Sequence, residues 1–158
     1  MPISRTRVGL RMRYGWEIGT VPFSKVNFHQ PDGYRSDPAG YACMCWDIPL
    51  HVPHSWGGLS TVSLLEDGWV TEIEHGELKL GDAIGLLGRE SVDADGGVVV
   101  MFERWLNDDR TLGYAICWQQ LKDTSPGPAR RARPIDFRWH AYRFKDIVDD
   151  VEAGIEAG

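Results

Sequence analysis

The chain has 158 residues, 42% of them hydrophobic, and its 17 Lys and Arg against 23 Asp and Glu give a net charge of −6. That length buries one substantial core and leaves no room for a second domain. The acidic balance excludes a general binder of nucleic-acid backbones, which needs a basic face, and the odd count of cysteines (Cys43, Cys45, Cys117) suggests no disulfide framework.

Residues 1–16 set Val8, Leu10, Met12, Tyr14 and Trp16 among Arg5, Arg7, Arg11 and Arg13, which fits either a basic amphipathic helix or an alternating strand. No apolar run has signal-peptide length, and no segment is long enough to span a bilayer. Residues 25–36 are polar, with a turn at Pro31, Asp32 and Gly33. The stretch Gly33 to Trp46, GYRSDPAGYACMCW, then predicts a loop running into a capped helix. Asp37 is a good N-cap because its carboxylate can accept from the free amides of the first turn, and Pro38 suits the first helical position, where a missing amide costs nothing. From Tyr41 to Trp46 the residues are apolar nearly all round, as a helix packed on several sides requires. Cys43 and Cys45, two apart, fall on different faces of such a helix and read as core thiols.

Asp47 to Ser60, DIPLHVPHSWGGLS, reads as a loop. His51 and His54 lack a third ligand nearby and are separated by Pro53, so they read as loop histidines rather than a metal site. Leu59 to Leu65 and Trp69 to Ile73 suggest a short helical or turn segment leading to a sheet. Glu77 to Leu87, ELKLGDAIGLL, places a turn at Gly81 and Asp82 before a short buried strand. Gly88 to Gly97 is a polar loop, and Val98 to Trp105, VVVMFERW, is a strand, β-branched first and aromatic later. A turn at Asn107, Asp108 and Asp109 leads to a strand over Thr111 to Gln120. Lys122 to Pro134 is dense in Pro, Gly and Arg and reads as a solvated loop carrying Arg130, Arg131 and Arg133. Ile135 to Ile147 reads as a closing strand in which His140 is a paired structural histidine. In the tail from Val148, the spacing of Val148, Val151 and Ile155 allows a frayed terminal helix or a docking segment.

Four landmarks in this order, YRSDPAGY, ELKLGD, VVVMFERW and RWHAYRF, together with GTVPFS at Gly19 to Ser24, resemble the NlpC/P60 family of papain-like cell-wall peptidases, in the branch common in actinobacteria and their phages. The resemblance covers about residues 15–147. It implies an α+β fold with a central helix packed against a small antiparallel sheet. Residues 1–147 would form the domain, with 1–16 as an N-terminal helix or arm, and 148–158 an acidic tail. In the family the helix-start segment typically reads Asp-Cys-Ser-Gly-aromatic, and its cysteine is the nucleophile. Here Pro38 stands in that slot. The family's general base opens the strand that matches VVVMFERW, where this chain has Val98, and Gln119 stands where a glutamate is common.

Proline and valine can neither attack a carbonyl nor accept a proton, so the resemblance implies a catalytically inactive domain, a pseudoenzyme that needs no cofactor or metal. Tyr34, Asp37, Gly40, Trp105 and Gln119 would line the family's groove. The first expectation is a structural virion component, a minor tail or tail-tip protein assembled in the host cytoplasm with other virion proteins as an oligomer. The second is a module that holds a peptidoglycan stem peptide without cutting it. The third is a peptidase with a displaced nucleophile, Cys43 or Cys45, and His29, His54 or His140 as base.

Overall fold

The computed structural model describes residues 2–16, 32–52, 55–86, 98–117, 129–135 and 138–150. The chain begins with β1 (Ile3–Ser4) and α1 (Arg5–Tyr14), whose N-cap Ser4 accepts from the Arg7 amide. The arm is therefore helical. Next comes α2 (Pro38–Trp46), with Asp37 as N-cap and proline in its first turn, as the local rules require. A two-strand hairpin, β2 (His51–Val52) and β3 (Ser55–Trp56), follows where the sequence predicts only loop. After α3 (Thr61–Glu66) the chain enters its main sheet with β4 (Val70–Ile73), β5 (Ala83–Leu86), β6 (Val98–Trp105), β7 (Leu112–Cys117), β8 (Ala129–Pro134) and β9 (His140–Phe144). β10 (Ile147–Val148) ends the described chain and pairs in parallel with β1.

The six strands lie in the order β4-β9-β5-β6-β7-β8, and every neighbouring pair is antiparallel. Helices plus a main antiparallel sheet make the protein α+β. Alternation along β6 divides the core. Val99 and Met101 join the larger cluster, which holds α1 and α2 through Val8, Met12, Tyr41 and Trp46. Val100 and Phe102 face the other way, into a smaller cluster with Leu78, Ile84 and Ile135. α2 is buried from Ala39 to Trp46, and burying each large side chain of this kind stabilises the fold by about 1.5–3 kcal/mol. Trp46 stacks on Phe144 of β9 at 5.3 Å and donates to the Gly81 carbonyl at 2.8 Å, joining helix to sheet.

Three sequence expectations need correction. Residues 129–134 are a strand that closes one side of the sheet, not a solvated loop. Their register against β7 runs unbroken from Leu112–Pro134 to Cys117–Ala129, and backbone pairing to a buried neighbour overrides a composition poor in strand formers. Trp69 to Ile73 leads into the edge strand β4 rather than a helical turn. The closing segment is two strands, β9 and β10, and Val148 to Asp150 belong to the fold. Asp149 accepts from Arg5 Nε at 2.6 Å, and Asp150 accepts from the Thr6 amide in the first turn of α1 at 3.1 Å. The Arg5 guanidinium holds the Asp149 carboxyl below the usual carboxylate range; this contact contributes at neutral pH and is lost as pH falls through that lowered value. Residues 151–158 lie outside the described residues.

Candidate functional site

The site proposed from the sequence is the N-terminus of α2, and two of its residues, Asp37 and Gly40, meet there. Asp37 adopts an extended conformation (φ −140°, ψ 173°), and one carboxylate oxygen accepts from the Gly40 amide at 2.8 Å. The other oxygen accepts from Arg35, with Nε at 3.0 Å and Nη2 at 2.9 Å. Arg35 is fixed in turn by its own amide, which donates to the Gly57 carbonyl at 3.0 Å. Its carbonyl lies so close to α2 that a Cβ on Gly40 would stand 1.9 Å from the oxygen. Tyr34 is buried, and its hydroxyl donates to the Ile48 carbonyl. Burial and the nearby Asp47 push its phenol up to about 12.

The helix terminus is thus closed by its own chain. Its positive pole faces a carboxylate that is already paired with arginine. Asp37 thus serves as helix cap and as ion-pair partner of Arg35 at once. Pro38 sits in the first turn, where the resemblance places the nucleophile.

Val98 and Trp105 are not at this site. Val98 opens β6 but packs with the small cluster on the sheet face opposite α2. Side chains alternate along β6 as far as Phe102, where Val99 and Met101 face α2; a register shift between Phe102 and Arg104 then puts Trp105 on the far face despite its odd spacing from them. Val98, the residue that the resemblance places in the base slot, therefore does not face α2. Trp105 packs on the same far face. It lies 4.9 Å from Phe102, its indole donates to the Leu78 carbonyl at 3.1 Å, and it borders an open cleft of about 360 Å³ with Asn107 and Arg110 at the β6–β7 turn. Gln119, His29 and His54 lie outside the described residues, as does the segment Gly19 to Ser24. His140 faces Glu72, with Nδ1 at 3.2 Å from Oε2.

Cys43 and Cys45 sit deeper in α2 and are fully buried. The Leu59 amide donates to Cys43 Sγ at 3.3 Å, yet burial pushes that thiol up to about 12, and burial also raises Cys45. At pH 8 the Cys43 thiolate fraction should therefore fall about a thousandfold below that of a thiol with its ordinary value. Peptide-resolved alkylation at pH 8 should leave both cysteines unmodified in the folded protein and label both after unfolding. Both Cys43 and Tyr34 hold their protons more tightly folded than unfolded. Their contribution to stability is complete below about pH 9 and is lost as pH rises toward 12. Denaturant midpoints measured across that range should fall, and the fall should lessen in Cys43→Ala.

Two buried carboxylates escape sequence reading. Asp82, fully buried, reads locally as a turn residue but accepts from Arg5, Arg143 and the Lys79 amide. Glu103, 4% exposed, is held bidentate by Arg130, with Arg13 at 3.8 Å and Arg104 at 3.5 Å. A lone acid inside the apolar run VVVMFERW was the one local signal for Glu103. Among the described residues no cluster of His, Cys, Asp and Glu could hold a metal ion, and no helix is long and apolar enough to cross a membrane. Set beside family models, curated proteins and solved structures, the chain matches none of them.

Proposed function

We propose that this chain is a non-catalytic structural component of a phage virion, a minor tail or tail-tip protein built on an NlpC/P60-like scaffold whose cutting machinery has been replaced. The observation that carries this reading is the self-closed terminus of α2. Pro38 occupies its first turn, Asp37 is committed to the Gly40 amide and to Arg35, and the Arg35 carbonyl fills the space beside Gly40. The same closure weakens the stem-peptide reading, since a bound peptide would have to displace these contacts. It weakens the displaced-nucleophile reading as well, because Cys43 and Cys45 are buried and protonated at neutral pH.

Quantitative mass spectrometry of purified particles should find the protein at a fixed stoichiometry, and incubation with muropeptides should release no product. Turnover abolished by thiol alkylation, or absence from particles combined with retention on purified cell walls, would overturn the proposal.

A further inference from the structure

The main sheet ends in two edges of opposite charge. β8 carries Arg130, Arg131 and Arg133 and no acid, and residues 66–77 around β4 carry Glu66, Asp67, Glu72, Glu74 and Glu77 and no Lys or Arg. Among the described residues neither edge has a further partner strand. We propose that copies of this chain associate head to tail, the β8 edge of one copy pairing antiparallel with the β4 edge of the next. The inference goes beyond the virion reading and stands on the two edges alone.

The backbone specifies the register. The Ile135 amide donates to the Thr111 carbonyl, one step beyond the Leu112–Pro134 pair. Hydrogen-bonded and non-bonded pairs alternate in an antiparallel ladder. Arg130 and Ala132 therefore turn their backbone groups to the open edge, while Pro134 offers only a carbonyl there. On the other edge the Lys145 amide donates to the Trp69 carbonyl, one step beyond Val70–Phe144. Val70 and Glu72 thus face outward.

Placing Arg130 opposite Glu72 brings Ala132 opposite Val70 and forms about four backbone hydrogen bonds. Six alternating strands make the two edges run in opposite directions, so a second copy in the same orientation meets the first antiparallel. The faces agree too. Arg130 lies opposite Ile116 and Glu72 opposite Tyr142, both in the cluster on the helix side. The joined sheet would keep all its helices on one face.

Charge selects this pairing over the others. Arginine and proline on an edge normally keep sheets apart, and β8 against β8 or β4 against β4 would set like charges opposite each other. Between β8 and β4 the same charges attract. Arg130 and Arg104 both lie 4.8 Å over the Tyr114 ring, and with Arg13 they outnumber Glu103, leaving positive charge for an incoming carboxylate. The Glu72 side chain is 63% exposed. Because the two patches differ, the contact is heterologous and generates a ring or a filament.

Sedimentation velocity at about 0.1 mM and low salt, where charges act over about 10 Å or more, should show species larger than a monomer that shrink as salt is added. Glu72→Arg, which breaks the β4 edge, and Ala132→Pro, which removes only an outward amide on β8, should each weaken association on the order of tenfold or more. Mixing the two variants should give a dimer that grows no further, since one intact β8 then meets one intact β4. Circular dichroism checks their folding. If either variant unfolds, the same register is read from Thr71→Cys and Arg131→Cys, which should form an oxidised dimer with each other and neither with itself. A wild-type monomer under these conditions, assemblies that survive both variants, or cross-links within a single variant would overturn the proposal. Absence from particles combined with retention on purified cell walls would overturn the virion reading and leave this one standing.

Discussion

Asp82→Ala is expected to cost about 3–5 kcal/mol of folding stability, because it removes one side of a buried ion-pair network and leaves the other side charged. The Asp82 side chain is fully buried. One oxygen accepts from Arg5 Nη1 at 3.0 Å and Arg143 Nε at 3.1 Å; the other accepts from Arg143 Nη2 at 2.9 Å and the Lys79 amide at 2.8 Å. Without the carboxylate, two guanidiniums face each other around a position that is fully buried in the wild type. Their remaining partners are the Leu80 carbonyl and Asp149 for Arg5, and the Glu77 carbonyl for Arg143. For a chain of this length the loss corresponds to a fall in Tm on the order of 10 °C. Asp82→Asn keeps the shape but turns an amide donor toward arginine, so it should recover only part of the loss. Asp149→Ala is the contrast: the Asp149 side chain is 62% exposed, and pairs of that kind contribute roughly 0–1 kcal/mol. Urea unfolding of the three variants checks the ranking. An Asp82→Ala protein within about 1 kcal/mol of wild type would mean that the network does not tie the N-terminal helix to β5 and β9.

The parts of this fold that were legible in the sequence are those decided within a few residues. Asp37 and Pro38 announce α2 because capping is a local exchange of one carboxylate for free amides. The run at Val98 announces β6 because β-branched residues suit a pleated, buried surface. Gly81 and Asp82 announce a turn, which forms, and the Lys79 amide does donate to Asp82. The other partners of Asp82 lie 77 and 61 residues away in Arg5 and Arg143, a distance no spacing rule spans. β8 was missed for the same reason. ARRARP has no apolar alternation, and it becomes a strand because β7 presents a free ladder and Glu103 holds Arg130.

The candidate site divides along the same line. Asp37 and Gly40 are neighbours in sequence and meet in space, whereas the Tyr34 hydroxyl donates to the Ile48 carbonyl beyond the other end of α2. Val98 and Trp105 lie on the face turned away from α2; for Trp105 this follows from the register shift between Phe102 and Arg104, which no local sequence signal marks.

Gly40→Ala tests how tightly that terminus is closed. On helix propensity alone, alanine in the first turn of α2 should stabilise by up to about 1 kcal/mol. The structure sets a larger opposing effect. The new Cβ would stand 1.9 Å from the Arg35 carbonyl oxygen, 2.6 Å from its carbon and 2.8 Å from the Arg35 Cβ. Those atoms cannot yield easily, because the Arg35 amide is bonded to Gly57 and its guanidinium to Asp37. Relief requires moving the loop or the first turn of α2, at a net cost on the order of 3 kcal/mol, toward the upper end for overpacked cores. Gly76→Ala, where an added Cβ meets nothing within 4 Å, should change stability by about 0.5 kcal/mol or less. The difference between the two variants, read from denaturant midpoints, separates close approach from propensity. A stabilised Gly40→Ala protein would show that the Arg35 carbonyl does not fill this space, and the closed terminus of α2 would have to be reconsidered as an open one. A destabilised one would show that the packing of the Arg35 loop requires glycine at position 40.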